Sequence, residues 1–336
     1  MKKFLLGTSA IAGAALLTAS QANAQDFDLT LGGFARFGVG LGDVEEESGE
    51  DSAREHNFFT DSEIIVNARS TSDSGLEYGG TIEFETDTNS EANTDEAWIF
   101  LSGGFGEVRL GSEDGAVDNS KVGGFSVAAG TGGIDGDGFV GGTVDIVQTN
   151  SGDANKIRYY TPVIGGLQFG ASYTPDVGAG GDVISLDDTG DIETLGEGAI
   201  VYEGAFSGVD ITASVVGSIG GVEEPGDDDF TAIGGGIQLG FAGFSLAGAY
   251  FQEDLSDVET EIINAGIAAS LGPANLSFTY GFNDVDDGGE PELYVISADT
   301  AIAPGAVLKG DIAIFDNDTG DDDDGVTGVI RLDFSF

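Results

Sequence analysis

Phe105-Gly-Glu-Val-Arg-Leu-Gly111 opens the stretch of sequence that decides the fold, and it has the pattern of a short strand. A segment rich in glycine and aspartate follows at residues 112–154. The stretch closes with Asn155-Lys-Ile-Arg-Tyr-Tyr-Thr-Pro162, a Val163-Ile-Gly-Gly166 turn, and Leu167-Gln-Phe-Gly-Ala-Ser-Tyr-Thr-Pro175. Alternating strands normally have short connections, so a connection this long indicates a functional or a disordered segment.

Strict alternation of apolar and polar residues recurs along the whole chain. Members of one parity are apolar or small in several runs: Phe27, Leu29, Leu31, Phe37 and Leu41; Leu167, Phe169 and Tyr173; Leu276, Phe278, Tyr280 and Phe282; Ile330, Leu332, Phe334 and Phe336. This period predicts sheet with one apolar face. A soluble sandwich would alternate in the same way. Runs of about nine to eleven residues, opposite a parity of Gly, Ser, Thr, Asp, Glu and Arg, favour tilted membrane strands around a wet lumen.

The connections between these runs alternate between two kinds. Short ones, such as Ser207-Gly208 and Ala242-Gly243, are small and almost uncharged, whereas long ones are acidic. The long connections at residues 42–53, 175–197, 219–229, 252–261, 283–292 and 316–324 each hold at least five acidic residues. An all-β, antiparallel, up-and-down transmembrane barrel places all tight turns at one end and all long loops at the other. We therefore predict such a barrel, with about sixteen strands and room for a water-filled channel.

The first residues have the features of an export leader. Met1-Lys-Lys-Phe is basic, residues 5–18 are apolar and small, and Ala22-Asn23-Ala24 is a cleavage motif. We expect a Sec-type signal peptide at residues 1–24 and one barrel domain at residues 25–336. A membrane-anchor helix is the alternative, but the stretch is short and no stop-transfer sequence follows.

Net charge excludes one class of partner. The chain has 11 basic and 60 acidic residues. Removal of the leader takes away Lys2 and Lys3, which leaves nine basic residues and a formal charge near −51. Nucleic acid is excluded by like-charge repulsion. The 22 Phe and 8 Tyr argue against a disordered chain.

The Phe105 to Pro175 stretch, together with the C-terminal strand that stops on Phe336, resembles the general porins of Gram-negative outer membranes, most closely the alphaproteobacterial type. The resemblance implies that residues 112–154 are the third loop, folded into the lumen as a constriction loop. It also implies a homotrimer in the cell outer membrane, in contact with lipid and lipopolysaccharide, and a terminal Phe336 read by the barrel assembly machinery.

The resemblance further implies basic side chains on the barrel wall that face acidic residues of the third loop. The basic candidates have lumen parity, which means that they occupy the strand positions opposite the apolar face. They are Arg36, Arg69, Arg109 and Arg158. The acidic candidates are Glu113, Asp114, Asp118, Asp135 and Asp137. Alternatively, each arginine pairs with a lumen carboxylate such as Glu63 or Glu107. Ser112 stands where many family members have Arg or Lys, so we expect fewer basic side chains on the barrel wall than in those proteins. Lys309 and Arg331 also have lumen parity but occur late in the chain.

We predict a general diffusion porin that passes ions and small hydrophilic solutes and prefers cations. A substrate-selective porin is one alternative and would show a ladder of lumen aromatics, whereas Phe34 and Phe251 are isolated. A non-conducting structural or adhesion barrel is another. We expect no enzyme and no cofactor, because no catalytic motif accompanies the one histidine and the chain has no cysteine. The acidic external loops are candidates for calcium binding, although the spacing of an EF-hand is missing.

Overall fold

Within the residues that it describes, the computed structural model contains sixteen β-strands, which make up nearly all of the regular structure. The structure describes residues 27–44, 56–86, 94–136, 144–178, 192–222, 229–256, 258–286, 288–317 and 324–336. The strands are β1 (Asp28–Val44), β2 (His56–Thr71), β3 (Glu77–Glu85), β4 (Thr94–Gly103), β5 (Gly106–Ser112), β6 (Asn155–Tyr160), β7 (Leu167–Asp176), β8 (Ile192–Phe206), β9 (Val209–Val222), β10 (Phe230–Phe241), β11 (Phe244–Leu255), β12 (Val258–Leu271), β13 (Ala274–Val285), β14 (Glu292–Ala303), β15 (Ala306–Asp316) and β16 (Asp324–Ser335). Their number agrees with the sequence-based prediction.

The strands form one closed antiparallel barrel in which each strand pairs with its neighbours in sequence. β1 closes the barrel by pairing with β16, from Phe34 opposite Ser335 to Val44 opposite Gly325. Gly33 and Phe336 exchange two backbone hydrogen bonds of 3.1 Å beside this seam. Closure leaves no sheet edge without a partner, which is the condition for a sheet to span a lipid bilayer.

The outer face of the barrel is the apolar parity that the sequence predicts. Leu31 is 68% exposed, Ile233 62% and Ile330 57%, although all three are large aliphatic residues. A continuous exposed band of this kind is unfavourable in water and is the surface that a bilayer covers. The apolar side chains therefore separate from the acidic ones by parity, as predicted. Within the described residues, no helix is long and apolar enough to cross a membrane.

Two of the tight turns show why small residues occur at this end of the barrel. Both central residues have positive φ in Ser207-Gly208 (53° and 83°) and in Ala242-Gly243 (52° and 83°). Positive φ at both positions is the geometry of a type I′ turn, which matches the twist of a two-stranded hairpin. Glycine at the second position takes this conformation without a steric cost.

One predicted long loop is wrong. Residues 252–261 were expected to form an acidic loop, but β11 continues to Leu255 and β12 begins at Val258. Gln252 pairs with Glu261, and Glu253 pairs with Thr260. The acidic residues extend the hairpin because β-strand pairing depends on backbone hydrogen bonds, which these side chains do not obstruct. Acid content alone therefore does not mark the end of a strand here.

The apolar core lies inside the barrel, where it joins the wall to residues 113–154, hereafter the long segment. One cluster contains Ala116 and Val117 of the long segment with Val216, Phe251 and Ile262 of the wall. A second cluster contains Ile134 with Leu293, Val295, Ala313 and Phe315. These wall residues belong to the parity opposite the exposed outer face. The long segment thus contacts inward-facing side chains.

Candidate functional site

Residues 118–135 of the long segment form short 3-10 turns separated by stretches that contain glycine. The 3-10 helices are Asp118–Ser120, Gly124–Val127 and Gly133–Asp135. A chain that winds in this way cannot satisfy its own backbone groups, because 3-10 helices of three or four residues leave most N–H groups without an internal partner. Those groups need acceptors from the wall.

Side chains on β7 to β15 supply the acceptors. Nine backbone N–H groups in the described part of the long segment donate to wall side chains: Ala116 to Ser172 (2.9 Å), Gly124 to Asn264 (2.7 Å), Ala129 to Ser277 (2.8 Å), Gly130 to Asp299 (3.1 Å), Thr131 to Asp311 (2.9 Å), Ile134 to Thr279 (3.2 Å), Asp145 to Asn283 (2.7 Å), Thr149 to Glu253 (2.6 Å) and Ser151 to Glu197 (3.3 Å). The inward faces of β7 to β15 are called the covered wall below.

Two asparagines of the covered wall each bind the backbone of the long segment through both the donor and the acceptor of the side-chain amide. Asn264 accepts from Gly124 N and donates to Ile146 O at 2.8 Å. Asn283 accepts from Asp145 N and donates to Asp145 O at 3.0 Å. Both asparagines are almost fully buried. A carboxamide has a donor and an acceptor at its tip, so it can bind a passing backbone much as a neighbouring strand would.

Glycines in the covered wall allow the backbone of the long segment to come close. A Cβ atom on Gly266 would lie 2.3 Å from Gly124 O, and one on Gly236 would lie 1.8 Å from Val122 O. Neither distance is compatible with a side chain. These glycines, which the sequence-based interpretation did not use, therefore mark where the long segment lies against β10 and β12.

Charge pairing between the long segment and the wall occurs at β5 and β6. Glu113 Oε2 lies 2.8 Å from Arg158 Nη2 and 3.2 Å from Arg109 Nη1. Arg158 also donates to Asp114 O at 3.0 Å, and Lys156 Nζ donates to Glu113 O. Arg109 binds Glu107 at 2.7 Å. The five side chains Arg109, Arg158, Lys156, Glu107 and Glu113 are called the β5/β6 cluster. Lys156 was not among the predicted site residues.

Aromatic rings support the arginines of the β5/β6 cluster. The guanidinium carbon of Arg109 lies 3.9 Å from the ring centre of Trp98, and that of Arg158 lies 5.3 Å from the ring centre of Tyr160. Planar guanidinium groups stack favourably on such rings. Burial raises the pKa of Glu113, while Arg158 and Arg109 act in the opposite direction.

The other two predicted arginines lie elsewhere. Arg36 pairs with Asp61 at 2.5 Å and lies 3.9 Å from Asp333. Asp333 also pairs with Lys309 at 3.0 Å and Arg331 at 2.7 Å. Arg36, Asp61, Lys309, Arg331 and Asp333 form the β1/β16 cluster, so Lys309 and Arg331 belong beside Arg36 despite their late positions. Arg69 lies near the β2–β3 turn, 3.5 Å from Glu77.

The predicted acids of the long segment are divided as well. Glu113 contacts the arginines, whereas Asp118 pairs with Lys121 of the segment itself at 2.6 Å. Burial, followed by Asp118, Glu96 and Asp153, raises the pKa of Asp114 to about 7. Burial lowers the pKa of Lys121, but Asp118 first and Asp135 next outweigh it, so the pKa is raised overall. Asp137 lies outside the described residues.

A hollow lies next to the β5/β6 cluster. Its volume is about 440 Å³, and its lining includes Arg109, Arg158, Glu107, Asn119 and Gln168. Turn residues such as Gly103 and Pro162 also line it, so it opens toward the tight-turn end of the barrel. Most of the lining residues are polar, which suits hydrated ions and small hydrophilic molecules.

Several predictions fall on residues that the structure does not describe. The leader at residues 1–24 lies outside the described residues. Most of each acidic loop at residues 42–53, 175–197, 219–229 and 316–324 also does, so the calcium prediction stays a prediction. The terminal Phe336 is described, and 68% of its surface is exposed. Its role as an assembly signal stays a prediction.

Comparison with known proteins agrees with the fold. A family model described as Gram-negative porin matches residues 8–320. The chain belongs to the Gram-negative porin family. Comparison of this porin with curated protein sequences gives no match.

Solved structures of porins superpose on this porin over nearly its whole length. An anion-selective porin from Comamonas acidovorans is 20% identical with a TM-score of 0.70, covering 93% of this chain and 100% of that chain. OmpT of Vibrio cholerae in its trimer form is 13% identical with a TM-score of 0.66, covering 93% and 100%. A substituted Rh. blastica porin is 17% identical with a TM-score of 0.61, covering 92% and 100%. The TM-scores show a shared fold, and at these low identities they show the fold alone. Membership of the family places this porin in the outer membrane as a channel.

Proposed function

We propose that this porin is a general diffusion channel in which the long segment sets the narrowest cross-section. The observation that carries the proposal is the series of nine hydrogen bonds from the backbone of the long segment to the covered wall. A segment bound along one wall occupies part of the lumen and leaves the opposite side for solute. The β5/β6 cluster borders that side with fixed charges of both signs. No chemical step is required, so the protein acts as a channel and not as an enzyme.

The direct test of the narrow section is excision of residues 123–142, which carry two of the 3-10 helices. We expect higher single-channel conductance and a larger solute cut-off in liposome swelling, with the barrel still folded. The control variant is Gly198→Ala on β8, which keeps every lumen residue. The added methyl group meets no atom within 4 Å, so this variant should conduct like the parent protein. Unchanged conductance and cut-off in the folded deletion protein would contradict the proposal.

Cation preference is the second part of the proposal. The formal charge near −51 and the small number of basic residues support it, since a low-dielectric channel concentrates counter-ions of its fixed charge. The anion-selective relative from Comamonas acidovorans makes the sign an experimental question. We expect the reversal potential in a salt gradient to indicate cations at low salt and to approach neutrality as salt screens the charges. A reversal potential for anions at low salt would contradict it.

A homotrimer is the third part. OmpT of Vibrio cholerae has a trimer form, and the apolar outer face of this barrel offers side chains that can pack against a second copy. Cross-linking in mild detergent should give a three-subunit species that heating converts to monomer. A species of one subunit under all mild conditions would contradict this part and leave the channel proposal untouched.

A further inference from the structure

Three carboxylates from three neighbouring strands converge on the inner wall, away from the long segment's hydrogen bonds. They are Glu63 on β2, Glu83 on β3 and Asp95 on β4. Each offers one oxygen atom, and these atoms all lie within 4.8 Å of one another. Three like charges at this separation repel strongly unless a positive charge or protons lie between them.

The strand register explains the convergence. Glu63 pairs with Glu85 and Ile65 pairs with Glu83, so Glu63 and Glu83 are diagonal neighbours on one face. The pairing of β3 with β4 shifts between Ile82 and Phe84, where Ile82 opposes Ala97 and Phe84 opposes Thr94. Asp95 and Glu96 therefore both oppose Glu83, which is a β-bulge. A bulge turns a side chain that regular alternation would send to the other face.

Glu63 supplies the observation that points to a ligand. Only 8% of its surface is exposed, and its Oε1 atom is buried with no hydrogen-bond partner among the described residues. A buried carboxylate oxygen without a partner is costly, and native structures rarely retain one without an ion or water. By contrast, the neighbouring acid Asp61, two residues earlier on β2, pairs with Arg36. Within the part of the chain that the structure describes, no lysine or arginine forms an ion pair with Glu63, Glu83 or Asp95.

We infer that Glu63, Glu83 and Asp95 bind one divalent cation of the calcium class. Oxygen ligands of calcium lie about 2.3–2.6 Å from the ion, so two ligands on opposite sides are separated by at most roughly 5 Å. The three oxygen atoms all lie within 4.8 Å of one another, which is inside this limit. Calcium accepts a flexible arrangement of oxygen ligands, whereas magnesium needs ligands at about 2.0–2.1 Å in strict octahedral geometry, so three carboxylates from separate strands suit calcium better. The bound ion joins β2, β3 and β4 at the bulge.

A second acidic group nearby has to be distinguished from this site. Glu96, Asp114 and Asp153 also bring their oxygens within 4.8 Å of one another. Glu96 Oε2, however, already accepts a hydrogen bond from Trp98 Nε1 at 3.3 Å. None of the three has a buried oxygen without a partner among the described residues. We therefore assign the cation to the Glu63 group.

Trp98, the only tryptophan of the chain, provides a local reporter. It lies three residues from Asp95 on the same strand, which is about 10 Å along a β-strand. Terbium(III) occupies calcium sites and emits when a nearby tryptophan is excited. The experiment titrates the folded porin in detergent with terbium at constant ionic strength, excites at the tryptophan band, and then displaces terbium with calcium or magnesium. Cations bound at distant acidic loops contribute little to this signal.

The variants are Glu63→Gln, Asp95→Asn, Asp153→Asn in the second acidic group, and Glu259→Gln, an exposed carboxylate of β12 that removes the same charge. We expect saturable emission that calcium displaces at lower concentration than magnesium. Binding should weaken at least tenfold in Glu63→Gln and Asp95→Asn and remain within about twofold in Glu259→Gln. Heat-modified gel migration verifies that each barrel is folded, and Asp95→Asn serves if Glu63→Gln does not fold.

Two results would overturn the assignment. The first is the absence of any calcium-displaceable emission in the parent protein, which would mean that the carboxylates share protons instead. The second is emission that Asp153→Asn abolishes and Glu63→Gln leaves intact, which would put the ion in the second acidic group.

Discussion

The two sides of the lumen differ in how they use polar residues. The covered wall, β7 to β15, uses serine, threonine, asparagine and carboxylate oxygens to accept hydrogen bonds from the backbone of the long segment. The inward faces of β16 and β1 to β4, called the charged wall, carry ion pairs such as Arg36–Asp61 and the three converging acids around Glu63. One wall is a binding surface for the chain itself, and the other is a surface of fixed charge.

The difference separates two tasks, attachment of the long segment and the placing of fixed charge beside the channel. The sequence-based interpretation placed basic wall side chains opposite acidic residues of the third loop. In the described part of the long segment, most of the attachment consists of hydrogen bonds from backbone N–H groups to wall side chains and of apolar contacts, with ion pairs to the wall at Glu113. Attachment should therefore depend little on salt, whereas ion preference should depend on it strongly.

The largest effect on stability is expected at the β5/β6 cluster, where the two walls meet. Arg158 and Glu113 are 3% and 1% exposed, so Arg158→Gln leaves a buried carboxylate with Arg109 as its remaining cationic partner. We expect a loss of about 3–5 kcal/mol in the free energy of unfolding, measured by denaturant titration in lipid vesicles. Arg36→Gln is the control: Asp333 keeps Arg331 and Lys309, so the loss should be smaller. Equal losses would show that the two clusters do not differ.

A smaller effect is expected on the covered wall. Gly266→Ala places a methyl group 2.3 Å from Gly124 O, so the long segment must shift toward the channel axis. Overpacking of this kind costs roughly 1–3 kcal/mol. We expect lower stability and altered single-channel conductance together. Gly198→Ala, whose added atom meets nothing within 4 Å, should change neither. A Gly266→Ala protein with parental stability and conductance would show that the long segment does not lie against β12.

The smallest expected effect is the change of stability and ion preference with pH. Burial and the neighbouring acids Asp118, Glu96 and Asp153 raise the pKa of Asp114 from 3.8 to about 7, against the opposing charge of Lys121. Between these values the folded protein holds a proton that the unfolded chain releases, so this group makes stability fall as pH rises from about 4 to about 7. Ionisation above pH 7 adds a negative charge beside the channel.

The reversal potential measured from pH 5 to pH 9 should accordingly show cation preference increasing near pH 7. Asp114→Asn should remove that step, while Asp118→Asn, which takes away a negative charge that raises the pKa of Asp114, should keep the step and move its midpoint to lower pH. A parental step that persists in Asp114→Asn would assign the titration to another group.

The sequence was sufficient for the barrel and insufficient for the attachment of the long segment. Period two and the C-terminal run up to Phe336 predicted the strands and the outer face, because parity in a strand is a local property. The acceptors Asn264, Ser277 and Asp311 lie more than 130 residues from the backbone groups that they bind. No local pattern distinguishes such residues from other polar residues that face a wet lumen.

The sequence was also insufficient to show which charged residues lie together. Parity correctly indicated inward positions for Arg36, Arg109 and Arg158, yet it could not tell which of them share a cluster. That depends on where β16 returns beside β1, which brings Asp333 to Arg36, and on the depth of each residue along the barrel axis. Arg69 lies at a different depth along the barrel axis from the other three arginines, since it pairs with Glu77 at the turn end.

The central claim is that the long segment lies against the covered wall, and disulfide trapping tests it most directly. The chain has no cysteine, so Ala129→Cys with Ser277→Cys creates a single possible pair at positions where backbone N and side-chain Oγ are 2.8 Å apart. We predict that mild oxidation consumes both thiols and leaves single-channel conductance unchanged, while Ala129→Cys with Asp61→Cys on the charged wall keeps both thiols free. Free thiols in the first pair, or a disulfide in the second, would contradict the account.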